Sequence, residues 1–215
     1  MDTRITIVYD NDLNKQGLET GWGFSALIET DHASPILFDT GNDGAALVYN
    51  MEKLGIDPEL ISVIVISHGH YDHTGGLGDI LEINDRATIY LPASAATTIP
   101  GRKVITVSQP LQITDNVFST GELKNMEQSL AIKTGRGIVV VTGCSHPGVG
   151  TILDAASSLG EIHGIIGGFH GFNDFSRLNG LSLICPCHCT QYKKELARRF
   201  PEQYVECGSG LELVI

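Results

Sequence analysis

The chain has 215 residues, 42% of them hydrophobic and 18% charged, which is enough apolar matter for a sizeable core and predicts a single domain over 1–215. A formal net charge of -11 argues against nucleic acid as a partner, because affinity for its phosphate backbone depends on Lys and Arg releasing counterions. The start "MDTRITIVYD" has no basic segment followed by an apolar run, and no stretch reaches the ~18 continuous apolar residues of a membrane span, so a cytoplasmic protein with no membrane partner is expected.

In chain order, RITIVY (4–9), GFSALIE (23–29) and PILFDT (35–40) read as strands separated by turn-rich segments. NDGAALVYNMEKLG (42–55) reads as a helix, capped by Asn42 or Asp43 and stopped by Gly55. The almost wholly apolar ISVIVIS (61–67) suits a strand covered on both faces. TGGLGDILEIN (74–84) is expected to be helical, followed by strands at ATIYLP (87–92), KVITVS (103–108), NVFSTG (116–121), QSLAIKT (128–134) and GIVVVTG (137–143). A helix over 148–160, strands over 162–168 and 181–186, a helix over 191–200 and a strand over 204–208 complete the pattern. Strands followed by strand-helix units, twice over, suggest an α+β fold with two sheets back to back and helices outside.

Five cysteines make a disulfide framework improbable, and the alternating Cys185, Cys187 and Cys189 of CPCHCT cannot pair among themselves on a strand. They read as small residues filling tight space, with a separate zinc or redox cluster as the alternative. The polar segment 9–23, which carries the only Trp, is placed either as a flap over a site or as an inert hairpin.

The chemistry concentrates in SHGHYDHTGG. His68, His70, Asp72 and His73 follow one apolar strand, and His146, His170 and His188 each follow another, so six of the eight histidines are expected at one edge. His32 and His163 lie in a polar turn and early in a strand, away from that edge. On a tight loop, His-x-His grips one cation and the neighbouring Asp-His turns to a second, a layout for one or two divalent ions. Imidazole with carboxylate suits zinc first, with iron or manganese as alternatives. Asp39, at the end of PILFD, either caps the next helix or accepts hydrogen bonds from the metal-binding loop or a ligand histidine. In GCSHPGVG, the glycines either open an anion site at a helix start or allow close packing.

SHGHYDH and ILFDTG resemble the metallo-β-lactamase superfamily, and GCSHPG, GGFH, PCHCT, GFSALIE and EQSLAI resemble the branch that holds an archaeal dihydropterin–ribofuranosylaminobenzene phosphate synthase beside metal-dependent hydrolases. The resemblance implies an αββα sandwich, with His68, His70 and His146 on a first ion and Asp72, His73 and His188 on a second. Where most of the superfamily has a bridging aspartate, this chain has His170, with Asp174 four residues on. An imidazole cannot bridge as a carboxylate does, so His170 is a terminal ligand, an acid/base facing substrate, or a structural residue.

The expected activity is hydrolysis of an ester-type small molecule, a phosphoester, lactone or thioester that is also a candidate anion, through a metal-activated hydroxide with Asp72 or His170 passing the proton. The alternatives are a synthase that condenses a pterin with an aminobenzoate derivative, and a non-catalytic metal-binding module. A His/Asp-rich set favours an open catalytic site over a closed, cysteine-rich structural one.

Overall fold

The protein is described by a computed structural model covering residues 3–31 and 33–215; His32 lies outside the described residues. Two sheets form the middle of the molecule. The first runs in the order β13-β1-β2-β3-β4-β5-β6, from β1 (Thr3–Tyr9), β2 (Ser25–Thr30), β3 (Ala33–Phe38), β4 (Val63–Val65), β5 (Thr88–Pro92), β6 (Val104–Val107) and β13 (Glu212–Val214). The second runs β12-β11-β10-β9-β8-β7, from β7 (Leu111–Thr114), β8 (Val117–Ser119), β9 (Leu130–Thr134), β10 (Gly137–Thr142), β11 (Ile162–Gly168) and β12 (Leu183–Cys187). Each sheet is antiparallel through one half and parallel through the other.

Period-two alternation puts Ile5, Ile7, Ile28, Phe38 and Val65 on the inner face of the first sheet, against Leu130, Ile132, Val139, Val141 and Ile166 of the second. The outer face of the first sheet, with Leu37, Ile64 and Ile89, packs on α1 (Gly44–Leu54) and α3 (Leu77–Ile83) through Leu47, Met51, Ile80 and Leu81. Val140 and Ile165 of the second sheet pack on Ile152 and Ala156 of α4 (Val149–Ser157) and on Leu196 of α5 (Lys193–Arg199). The layers are αββα, as the resemblance implies.

Local signals behave as expected at α1, where the Asp43 side chain accepts from Ala46 N and Gly55 closes the helix in the left-handed region at φ 72°. The segment expected as one helix from Thr74 instead divides into a single turn, α2 (Tyr71–Thr74), and α3, because the backbone of Gly75 and Gly76 lies against residues 40–42. Segment 204–208 is not a strand: it makes one isolated bridge, Ile184 to Tyr204, while the short β13 takes the sheet edge beside β1. That segment nonetheless carries Cys207 into the core beside Cys185 and Cys187, so the three buried thiols that gather are not the alternating Cys185, Cys187 and Cys189 of the sequence. All five cysteines are free. No helix among the described residues is long and apolar enough to cross a membrane.

Candidate metal centre

The parallel strands end at one edge, and the loops that follow them meet there. His68, His70, Asp72 and His73 come after β4, His146 after β10 and His188 after β12. Two sets of donors result, each with all its ligand atoms within 4.8 Å of one another: His68, His70 and His146 in one, Asp72, His73, Cys144 and His188 in the other. In the first, His68 Nε2 lies 3.0 Å from His70 Nδ1 and 3.2 Å from His146 Nε2. These separations are close to the roughly 3.3 Å edge of a tetrahedron with zinc–nitrogen bonds of about 2.0 Å. In the second, Asp72 Oδ2 lies 3.1 Å from His188 Nε2 and 3.7 Å from His73 Nε2.

The imidazoles are aimed by their far nitrogens. Ser67 Oγ donates to Asp39 Oδ2 at 2.7 Å, so the 2.9 Å contact between Ser67 Oγ and His68 Nδ1 has the ring as donor. His73 Nδ1 donates to Asp39 Oδ2 at 2.7 Å. His188 Nδ1 donates to Asn11 Oδ1 at 2.9 Å, and the same oxygen accepts from Gly23 N. Each of these three rings therefore turns Nε2, with its lone pair, into a donor set, the arrangement in which a buried acceptor fixes the tautomer of a metal-binding histidine.

Electrostatics agree with that chemistry. Burial, followed by the neighbouring imidazoles, pushes His68 down to about 2 and His146 down to about 4, so both are neutral lone-pair donors at pH 7. Burial alone would push the Asp72 carboxyl up, but the adjoining His188 ring and the charge on His73 pull it below its ordinary range. Burial likewise opposes charge on His73, yet the Asp39 carboxylate outweighs it and raises the ring. In a loaded site a cation takes the place of that proton. The donor types, their spacing and the fixed tautomers fit one divalent ion in each set.

Asp39 sits at φ 59° directly after β3 and also accepts from Ser67 N at 2.6 Å; the helix cap is Asp43 instead, so of the two readings of Asp39 the hydrogen-bonding one describes the structure. His170 follows β11, is exposed and stands outside both donor sets, its ring 5.3 Å from that of His146. Asp174 is exposed and accepts from Ser176 Oγ two residues on. His163, the second residue of β11, lies at the opposite end of that strand from His170, and Gly150 packs against the Arg177 guanidinium.

Four contributors leave little mark in the sequence. Glu127, fully buried between β8 and β9, accepts through Oε1 from the N–H groups of Gly143, Cys144 and Ser145 at 3.0, 3.0 and 3.1 Å, and through Oε2 from His146 N at 2.9 Å. One carboxylate thus curls the whole loop that carries His146, with Ser145 forced to φ 58°. Asn11 and Asp10 hold His188, Asp10 Oδ2 accepting from its backbone N at 2.8 Å. Cys144 Sγ lies 3.2 Å from His73 Nε2. An acid before an apolar strand, in EQSLAI, was the one hint of Glu127; nothing in the polar segment singled out Asn11.

The opening beside the first set is lined by His68, Gly69, His70, Ser94, Asn125, Met126 and His146. Met126 in that lining is 47% exposed; Tyr71, the first residue of α2, is 71% exposed, and Trp22, 59% exposed, leans on His188 with ring centroids 4.8 Å apart.

The sequence profile described as the metallo-beta-lactamase superfamily matches residues 21–159. Among curated proteins, the chain is 29% identical to 7,8-dihydropterin-6-methyl-4-(beta-D-ribofuranosyl)-aminobenzene-5'-phosphate synthase of Methanocaldococcus jannaschii, over 86% of this chain and 85% of that one. Among solved structures, it is similar to Tm1679, described as a metal-dependent hydrolase of the beta-lactamase superfamily, with a TM-score of 0.79 and 28% identity over 99% of each chain. The metallo-beta-lactamase fold protein YhfI from Bacillus subtilis, 15% identical with a TM-score of 0.67 over the whole of both chains, shares the fold.

Proposed function

The chain belongs to the metallo-beta-lactamase superfamily, and from that premise we propose that it is a hydrolase of an ester-type small molecule, a phosphoester, lactone or thioester, working with one or two divalent ions, zinc first. The observation that carries the proposal is the pair of converging donor sets in which side-chain acceptors hold His68, His73 and His188 with Nε2 inward. His68, His70 and His146 would hold the first ion, and Asp72, His73 and His188 the second.

Ions bound there supply a Lewis acid and a water of lowered pKa. The remaining work belongs to side chains. Asp72, ionised and 3.1 Å from His188 Nε2, orients whatever polar group lies between the two sets. His170, exposed beside His146 and outside both sets, is free to pass a proton from its ring to the departing group. Trp22, Tyr71 and Met126 offer apolar surface, so the substrate carries an apolar or aromatic portion beside its ester.

A second reading follows the archaeal relative, condensation of a pterin with an aminobenzoate derivative. The alignment to that synthase spans 253 positions against a chain of 215, so the relative carries inserted segments that this chain lacks. The hydrolase of matching length supports the first reading over it.

Metal analysis with a panel of phosphodiesters, phosphomonoesters, lactones, thioesters and β-lactams tests the proposal. The expected result is one to two ions per chain and turnover of at least one ester that a chelator abolishes. His68→Ala should lose the first ion, and His163→Ala should keep both. Metal-replete protein that is silent on the panel but joins a pterin pyrophosphate to an aminobenzoate derivative would overturn hydrolysis.

A further inference from the structure

We infer that Cys144 is a metal ligand: its thiolate completes the second ion's coordination in the place where a bridging carboxylate would otherwise serve. The inference rests on the metal-centre reading above and deepens it.

Three observations converge. Cys144 Sγ is 3.2 Å from His73 Nε2, the nitrogen left free by the bond to Asp39, and it lies within 4.8 Å of the Asp72 and His188 donor atoms as well. A four-donor set of one carboxylate, two imidazoles and one sulfur is therefore closed around a single point without any contribution from β11. The end of β11, from which a carboxylate would otherwise reach in, is blocked. A Cβ on Gly168 would come within 2.5 Å of Gly143 O and 2.7 Å of Cys189 Sγ, and the next polar side chain, His170, is turned outward at φ 47°. Finally, Cys144 does not reach this place by chance packing. Its backbone N–H is one of those gathered by Glu127 Oε1, which fixes the Cys144 position from the opposite side of the loop.

Loading the second ion would release the Cys144 Sγ proton to solvent as the sulfur–metal bond forms, so binding at this site would be accompanied by proton release. A sulfur donor also biases the second site, with its carboxylate, toward softer borderline ions such as zinc and cobalt(II) and away from magnesium or manganese.

Cobalt(II) titration of metal-free protein reads this without any substrate. Visible d–d bands should grow with both equivalents, and a near-ultraviolet sulfur-to-cobalt charge-transfer band should accompany only the second. Cys144→Ser and Cys144→Ala should abolish the charge-transfer band and weaken the second equivalent about 10- to 100-fold, leaving the first in place. Cys189→Ser and Cys207→Ser should keep the band, which separates Cys144 from its neighbour and from the core thiols. Wild-type protein that shows d–d bands with no charge-transfer band would overturn the inference while leaving the metal centre standing. A band that survives Cys144→Ser but vanishes in Cys207→Ser would overturn it in favour of the thiols in the core. Absence of cobalt d–d bands in wild type would sink the metal-centre reading, and this inference with it.

Discussion

Asp39 Oδ2 lies 2.7 Å from His73 Nδ1, with both side chains wholly buried, and the same carboxylate takes the Ser67 amide and hydroxyl. Through Ser67 it also sets His68, so one acid fixes a tautomer in each donor set. An amide at this position must turn its NH2 group toward either the Ser67 N–H or the His73 N–H, both donors. Asp39→Asn should therefore lower the affinity for both ions about 10- to 100-fold, measured by competition with a calibrated chelator. Unchanged affinity at both sites would mean the ring orientations are set elsewhere.

Glu127→Gln tests the cage around the His146 loop. The amide keeps one acceptor oxygen but faces the His146 N–H with another donor. Metal-free protein should lose about 2 kcal/mol, and Glu127→Ala, which orphans all the caged amides, should lose more. Urea denaturation of the three proteins without metal gives both values, and the glutamine variant should also bind the first ion more weakly.

His170 is tested by two substitutions. With its ring outside both donor sets, His170→Ala should keep full metal content while kcat falls about 100-fold or more and the pH–rate profile loses one limb. His170→Asp should likewise keep the ions. Loss of the second ion in His170→Ala, recovered in His170→Asp, would make it a ligand instead.

Asp10 makes stability depend on pH. Burial pushes its carboxyl from the usual 3.8 to about 6, against the opposing amide of Asp12, the charge of Lys193 and the amide of His188. The folded chain then holds a proton that the unfolded chain has released, so the contribution is fully present below about pH 4 and is lost as pH rises through 6. Relative to Asp10→Asn, whose side chain does not titrate, the wild type should lose on the order of 2 kcal/mol between pH 4 and 7. Denaturation of the two metal-free proteins at each pH reads the difference, and a gap that widens in favour of the wild type would contradict the sign.

Much of this was legible because local chemistry and global fold agree. The strands of SALIET and GIVVVT and the capped α1 follow from alternation and from Asp43 and Gly55. The six donors at the strand ends follow from SHGHYDH and from histidines placed just after apolar runs. What was not legible depends on contacts far apart in the chain. Glu127 acts on residues 16 to 19 positions away, and Asn11 on a histidine 177 positions away, and neither spacing leaves a period in the sequence. The 204–208 segment has the composition of a strand, but it makes a single bridge and the edge beside β1 goes to the residues after it. Cys144 carries no signal of its own, because a cysteine two residues before a histidine reads like any small buried residue until the loop is folded back.

The donors come from two sheets that share no ladder: His68, His70, Asp72 and His73 follow a strand of the first, while Cys144, His146 and His188 follow strands of the second. Each ion would thus be a clasp across the seam of the sandwich, and every tenfold rise in its free concentration above the dissociation constant would add about 1.4 kcal/mol to the closed molecule. Ion supply and chain lifetime would then be coupled: copies without ions, less stable by that amount, would be cleared sooner by proteases, so abundance would follow metal status.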